Sequence, residues 1–182
     1  MLNQEEPLCA GLRAKIQEQI ERIEHLLGLI PEEGLAWSPG WAGAWPTNRL
    51  LGHVLECLAG FCAVLAAAEP ERLAHFQELR RATVNHACGR EEAGKRIREY
   101  QGRIEEGLAL LRDSDLARKI PTLFVSKGES LLTLLLGNLE HLINHKHQLF
   151  VYLKAMGVAA GSGDLYQFRG SPSRLQDGRA GD

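Results

Sequence analysis

The 182-residue sequence lacks several features that would place it in a function class at once. Acidic and basic side chains nearly cancel, 23 Asp and Glu against 21 Lys and Arg, for a formal net charge of −2. A dedicated nucleic-acid binder would carry a basic surplus to meet phosphates, so no nucleic-acid partner is expected. Cysteine is scarce. Cys9, Cys57, Cys62 and Cys88 stand at irregular spacing with no C-x-x-C pair, which predicts reduced, largely buried thiols in the cytoplasm. Uninterrupted apolar runs are short. The longest, residues 131–136, is broken by Thr133, well under the ~20 residues of a membrane span, and no membrane partner is expected. Residues 1–7 are polar and acidic, unlike a secretory signal. What remains is an ordinary globular composition, 45% hydrophobic and 24% charged, in a chain long enough to bury about two-thirds of its unfolded surface.

Apolar periodicity predicts four long helices. The first covers about residues 5–29, with Leu12, Ile16, Ile20, Ile23, Leu27 and Ile30 at helical spacing before Pro31 and Gly34 stop it. The second starts after Thr47 or Asn48, either of which suits an N-cap, and runs to about residue 68. The third spans about 91–112. The fourth begins at a Ser130 N-cap, continues past Leu153 and meets a natural stop at Gly157. A short helix is expected near 72–81, a turn near 85–89 and a short extended piece at 123–126. All three tryptophans, Trp37, Trp41 and Trp45, fall in the Gly- and Pro-rich stretch 35–46, which reads as an ordered loop packed by aromatics. The expected architecture is an all-α four-helix bundle over residues 1–160, followed by a flexible, weakly ordered tail at 161–182.

The seven histidines are not scattered evenly over these helices. His53 lies on the second helix among Leu50, Val54 and Cys57. His141 and His145 are four apart on the fourth, about 40° round the axis, so they project from one face one turn apart. Their face also carries Leu134, Asn138, Leu142, Leu149 and Tyr152, so the pair looks into the bundle. Bundles build metal sites from side chains on facing helices, and two such imidazoles are able to grip one ion. Chance alone also produces His-x-x-x-His pairs, and His53 by itself fits an edge histidine. Cys57 reads either as a fourth ligand or as a core thiol. Gln148 reads as a hydrogen-bond partner near the site or as a boundary residue. His25, His75 and His86 read as solvated, as do Glu140 and Lys146. Trp41 and Trp45 read as the wall of a substrate pocket or as part of a core-sealing aromatic cluster.

Two stretches add a resemblance. Residues 45–53, Trp-Pro-Thr-Asn-Arg-Leu-Leu-Gly-His, resemble the start of the second helix in the DinB/YfiT-like superfamily. Residues 139–157 are similar to its H-x-x-x-H-[RK]-x-Q-L-x-x-Y-L-[RK]-x-x-G signature, and Asp164-Leu165-Tyr166 more weakly to its end. The resemblance spans about residues 5–170. It implies a four-helix bundle in which His53, His141 and His145 hold one divalent metal ion; with imidazole donors the expected ion is Zn or Ni ahead of Fe or Mn. It further implies a homodimer, a small-molecule substrate and a low-molecular-weight thiol as co-substrate, transferred to an electrophile. His147, where many members carry a small residue, and Cys57 depart from the pattern. His147 reads as a general base, an extra ligand or a surface imidazole.

Three rival functions remain open on the residues alone. The same metal site could activate water against a small ester, amide or phosphate. The bundle could bind a small ligand or a partner without catalysis. It could also be purely structural, with its histidines satisfied.

Overall fold

The computed structural model describes residues 6–81, 86–121 and 126–171. Five α-helices are seen among them: α1 (Pro7–Gly28), α2 (Thr47–Ala68), α3 (Arg90–Leu108), α4 (Leu131–Ala155) and the short α5 (Ser162–Tyr166). The first four form the expected bundle. Extensive contacts join α2 to α3 and α4, and α1 to the same two helices, so α1 and α2 lie across the bundle from each other. That diagonal explains the long crossing between them, which holds the tryptophans and a 3₁₀ turn at Glu32–Leu35.

The core follows the apolar stripes. Leu50, Leu55, Leu58, Phe61 and Leu65 of α2 are fully buried, as are Ile16, Ile20 and Ile23 of α1 and Leu135, Leu142 and Leu149 of α4. Each such side chain stabilises the fold by about 1.5–3 kcal/mol relative to exposure. Counting uninterrupted runs understated α2. It is long and apolar enough, by length and composition, to cross a membrane, because Ala, Gly and Cys fill the gaps between its leucines. More than half of that apolar window is buried inside the bundle, where α2 packs on both neighbours.

Helix ends depart from expectation at the start of α2 and at the end of α3, which stops at Leu108 rather than near residue 112. Thr47 does not cap α2 from outside but is its first residue, after Pro46. Its amide and hydroxyl both donate to the Trp37 carbonyl, at 2.8 and 3.1 Å, and so tie the tryptophan loop to the helix. The start of α1 is capped from 105 residues away: the Asp113 carboxylate accepts from the amides of Leu8 and Cys9 at 3.1 and 2.8 Å. Desolvation raises the Asp113 pKa, but the two amides and the Cys9 thiol together outweigh it and hold the group below its usual range. Helix α4 keeps both expected ends. The Ser130 hydroxyl accepts from the Thr133 amide, and Gly157, at φ +83°, closes a Schellman turn through bonds from Gly157 to Lys154 and from Val158 to Leu153.

Between α3 and α4, Lys119–Ile120 pairs antiparallel with Glu129–Ser130. The extended piece expected at 123–126 falls almost wholly outside the described residues. The short helix near 72–81 is a 3₁₀ segment, Ala74–Arg81. Of the expected tail, residues 161–171 are described and 172–182 lie outside the described residues: α5 packs on α1, with the Asp164 carboxylate paired to His25 at 3.1 Å and Arg169 reaching Glu24 at 3.0 Å. Gly and Ser composition suggested weak order there, but partners on α1 supply the order that local propensity does not.

Candidate metal centre

Helices α2 and α4 bring the three histidines together. Ring centroids are 5.1 Å apart for His53 and His141, 4.3 Å for His53 and His145, and 4.7 Å for His141 and His145. The Nε2 atoms of His53 and His141 face each other at 3.2 Å. Cys57, one turn after His53, joins the group: one ligand atom from each of the four residues lies within 4.8 Å of the others.

Hydrogen bonds set which ring nitrogen points inward. His53 Nδ1 donates to the Glu56 carboxylate at 2.7 Å, a partner that only accepts. His145 Nδ1 lies 2.9 Å from the Gln148 side-chain carbonyl, and the Gln148 amide donates onward to the Tyr152 hydroxyl at 3.4 Å. In a neutral ring held this way Nε2 carries the lone pair, so the nitrogens left over are those able to bind a cation. Metal-ligating histidines are ordinarily oriented by such partners.

Electrostatics favour the same state. Burial, with the neighbouring His53 adding to it, holds His141 below the ordinary histidine range. Burial also pushes His145 down; the Gln148 hydrogen bond pulls the other way, and His53 and His141 reinforce the fall. Burial, with Glu56 beside it, pushes the Cys57 thiol up to about 12.

The donor set fits a divalent ion. Two nitrogens bound at ~2.0–2.1 Å to one tetrahedral ion stand ~3.3 Å apart, close to the His53–His141 separation. Three imidazoles and a thiol suit Zn and its neighbours, and the cluster could hold such an ion.

The tryptophan loop lies over this face. The Trp45 indole meets the His53 ring edge-on at 5.0 Å, and the Arg49 guanidinium lies over the indole, 4.8 Å from its ring centroid. Trp37 and Trp41 both meet Tyr152, at 5.4 and 6.2 Å, and Trp41 remains 58% exposed. Trp37 thus packs inward, while Trp45 borders the histidines and Trp41 forms an outer rim.

Other candidates fall elsewhere. Asn138 is half-buried and sits against Gly60 of α2, where an added Cβ would come within 2.7 Å of its Oδ1. His147 is exposed, beside Phe150, and outside the cluster. His25, His75 and His86 are each half-buried and paired, with Asp164, Glu106 and Glu92 respectively. Lys146 corrects the expectation of a solvated side chain. It is 4% exposed, because the turn that aims His145 at α2 aims Lys146 at α1, where its amine donates to Gln19 Oε1 at 2.9 Å. Glu56 is not marked out by the histidine pattern of the sequence. Its place three residues after His53, on the same helix face, was the available signal.

A family model described as the DinB superfamily matches residues 15–149. Comparison with curated proteins gives no match. Among solved structures the chain is similar to the crystal structure of a DinB-like protein, YjoA, from Bacillus subtilis. The TM-score is 0.63 at 19% identity, covering 82% of this chain and 94% of that one, a likeness of fold. With one family model spanning most of its length, this chain belongs to the DinB superfamily.

Proposed function

We propose that the chain is a divalent-metal-dependent enzyme that transfers a low-molecular-weight thiol to an electrophilic small molecule. The observation carrying this reading is the convergence of His53, His141 and His145 from two helices, with two of the three rings already oriented by Glu56 and Gln148. These three histidines would hold the ion. When bound, a divalent ion supplies Lewis acidity, which favours the thiolate form of a coordinated thiol near neutral pH. The chain's own part is positional. Glu56 fixes the His53 ring, Gln148 and Tyr152 fix that of His145, and Trp45 covers one side of His53. Trp41, exposed at the rim, offers an apolar surface to the body of a substrate. All four cysteines are free and buried, which supports a reducing compartment such as the cytoplasm.

Two copies associating is part of the same reading. Leu132, Leu136 and Ile143 expose apolar surface on α4, roughly 140–180° around the helix from His141 and His145. Light scattering should give a dimer that Leu136→Glu shifts toward monomer; a wild-type monomer at the same concentration contradicts this part.

The activity is tested by incubating metal-loaded protein with small thiols and electrophiles and following thiol loss. Turnover that needs the thiol and disappears in His141→Ala is expected. Hydrolysis of esters or amides without any thiol would replace transfer with the hydrolytic reading. A small ligand bound equally well after metal is stripped would point to a binding protein.

A further inference from the structure

Three imidazoles do not exhaust the donors at this site. Cys57 stands one helical turn after His53, and its Sγ lies within 4.8 Å of the ligating nitrogens of His53, His141 and His145. Its side chain is 1% exposed, placing the sulfur on the inner side of a cluster whose His141 edge reaches solvent. Cys9, Cys62 and Cys88 are buried and free as well, yet among the described residues none of them belongs to such a group. A thiol that merely fills core volume needs no imidazoles around it; this one has three.

We infer that Cys57 is the fourth donor of the site, so that a bound ion takes three nitrogens and one thiolate. The inference rests on the three-histidine metal reading above and extends it to the choice of metal. A tetrahedral ion with one sulfur at ~2.3 Å and a nitrogen at ~2.0–2.1 Å places the two donors ~3.5 Å apart. The widest pair in the cluster, at no more than 4.8 Å, is a little over an ångström beyond that. On binding, the Cys57 S–H bond breaks, its proton leaves to solvent and the sulfur–metal bond forms; no electrons are transferred. A thiolate among the donors selects Zn(II) and Co(II) over Mn(II) or Mg(II). A substrate thiol then competes with the chain's own sulfur for the ion.

Cobalt(II) reports the donor set directly. Metal-free full-length protein is titrated with Co(II) in a phosphine reductant, so that no added thiol competes. The near-ultraviolet thiolate-to-cobalt charge-transfer band and the visible ligand-field bands are both recorded. Wild type should show both sets of bands at one cobalt per chain. Cys57→Ser should lose the charge-transfer band, keep visible bands from the histidines, and bind Zn(II) roughly tenfold or more weakly in chelator competition. Visible bands without a charge-transfer band in wild type would overturn Cys57 as a ligand and leave the three-histidine site standing. A charge-transfer band that persists in Cys57→Ser, or Zn(II) affinity unchanged by that substitution, would overturn it equally. No cobalt uptake by wild type would overturn both this inference and the metal reading beneath it.

Discussion

At the residue scale, the site depends on partners that fix rings. Glu56 accepts from His53 Nδ1 at 2.7 Å, so its loss frees the ring to turn and removes the charge that strengthens the ligand. Glu56→Gln keeps the shape but loses the full carboxylate charge, and should weaken Zn(II) binding by roughly 10–100-fold with the fold intact, measured by chelator competition alongside circular dichroism. Affinity equal to wild type would mean that Glu56 has no positioning role. The three histidines were legible in the sequence because helical spacing reveals a shared face. Glu56 was not, since a Glu three residues from a His is also the ordinary pattern of a solvated helix surface. The burial of Lys146 is hidden from the sequence for a related reason: a charged residue beside His145 looks solvated until the packing of α1 is known.

Lys146 also carries a pH signature. Burial, with Arg22 nearby adding to it, lowers its pKa to about 8, against 10.5 ordinarily. Between those values the unfolded chain holds a proton that the folded chain has released, so stability should rise with pH across that window. The gain should be about 1–3 kcal/mol and should vanish in Lys146→Met, as read from urea unfolding across the range. Parallel pH profiles for the two proteins would contradict the assignment.

At the scale of elements, the four long helices were legible from apolar periodicity and their stops. The shorter features were not, because tertiary contacts make them. Asp113 caps α1 from across the chain, Thr47 anchors to Trp37, and α5 is held by His25 and its neighbours rather than by its own composition. A close approach at the start of α2 belongs to the same class. A Cβ on Gly52 would fall 1.8 Å from the His86 carbonyl oxygen, in the segment whose Cys88 amide donates to the Asn48 carbonyl. Gly52→Ala, next to His53, should therefore destabilise the protein by about 1–3 kcal/mol, because backbone rather than a flexible side chain must yield. Urea denaturation checks this, and a variant as stable as wild type would show that the segment moves aside without cost.

At the scale of the whole molecule, a bundle places α2 and α4 in contact and so turns two separate sequence features, His53 and the His141–His145 pair, into one cluster. Membership of the DinB superfamily accords with that arrangement but leaves the reaction to be found. Whether these histidines hold a metal ion is read by elemental analysis. The protein is purified without chelator or histidine tag, beside His145→Ala. Wild-type protein should carry about one divalent metal ion per chain, and the variant should hold none stoichiometrically. Wild-type protein that takes up no metal even after incubation with Zn, Ni, Mn and Fe, or a His145→Ala variant that keeps full occupancy, would contradict the three-histidine site.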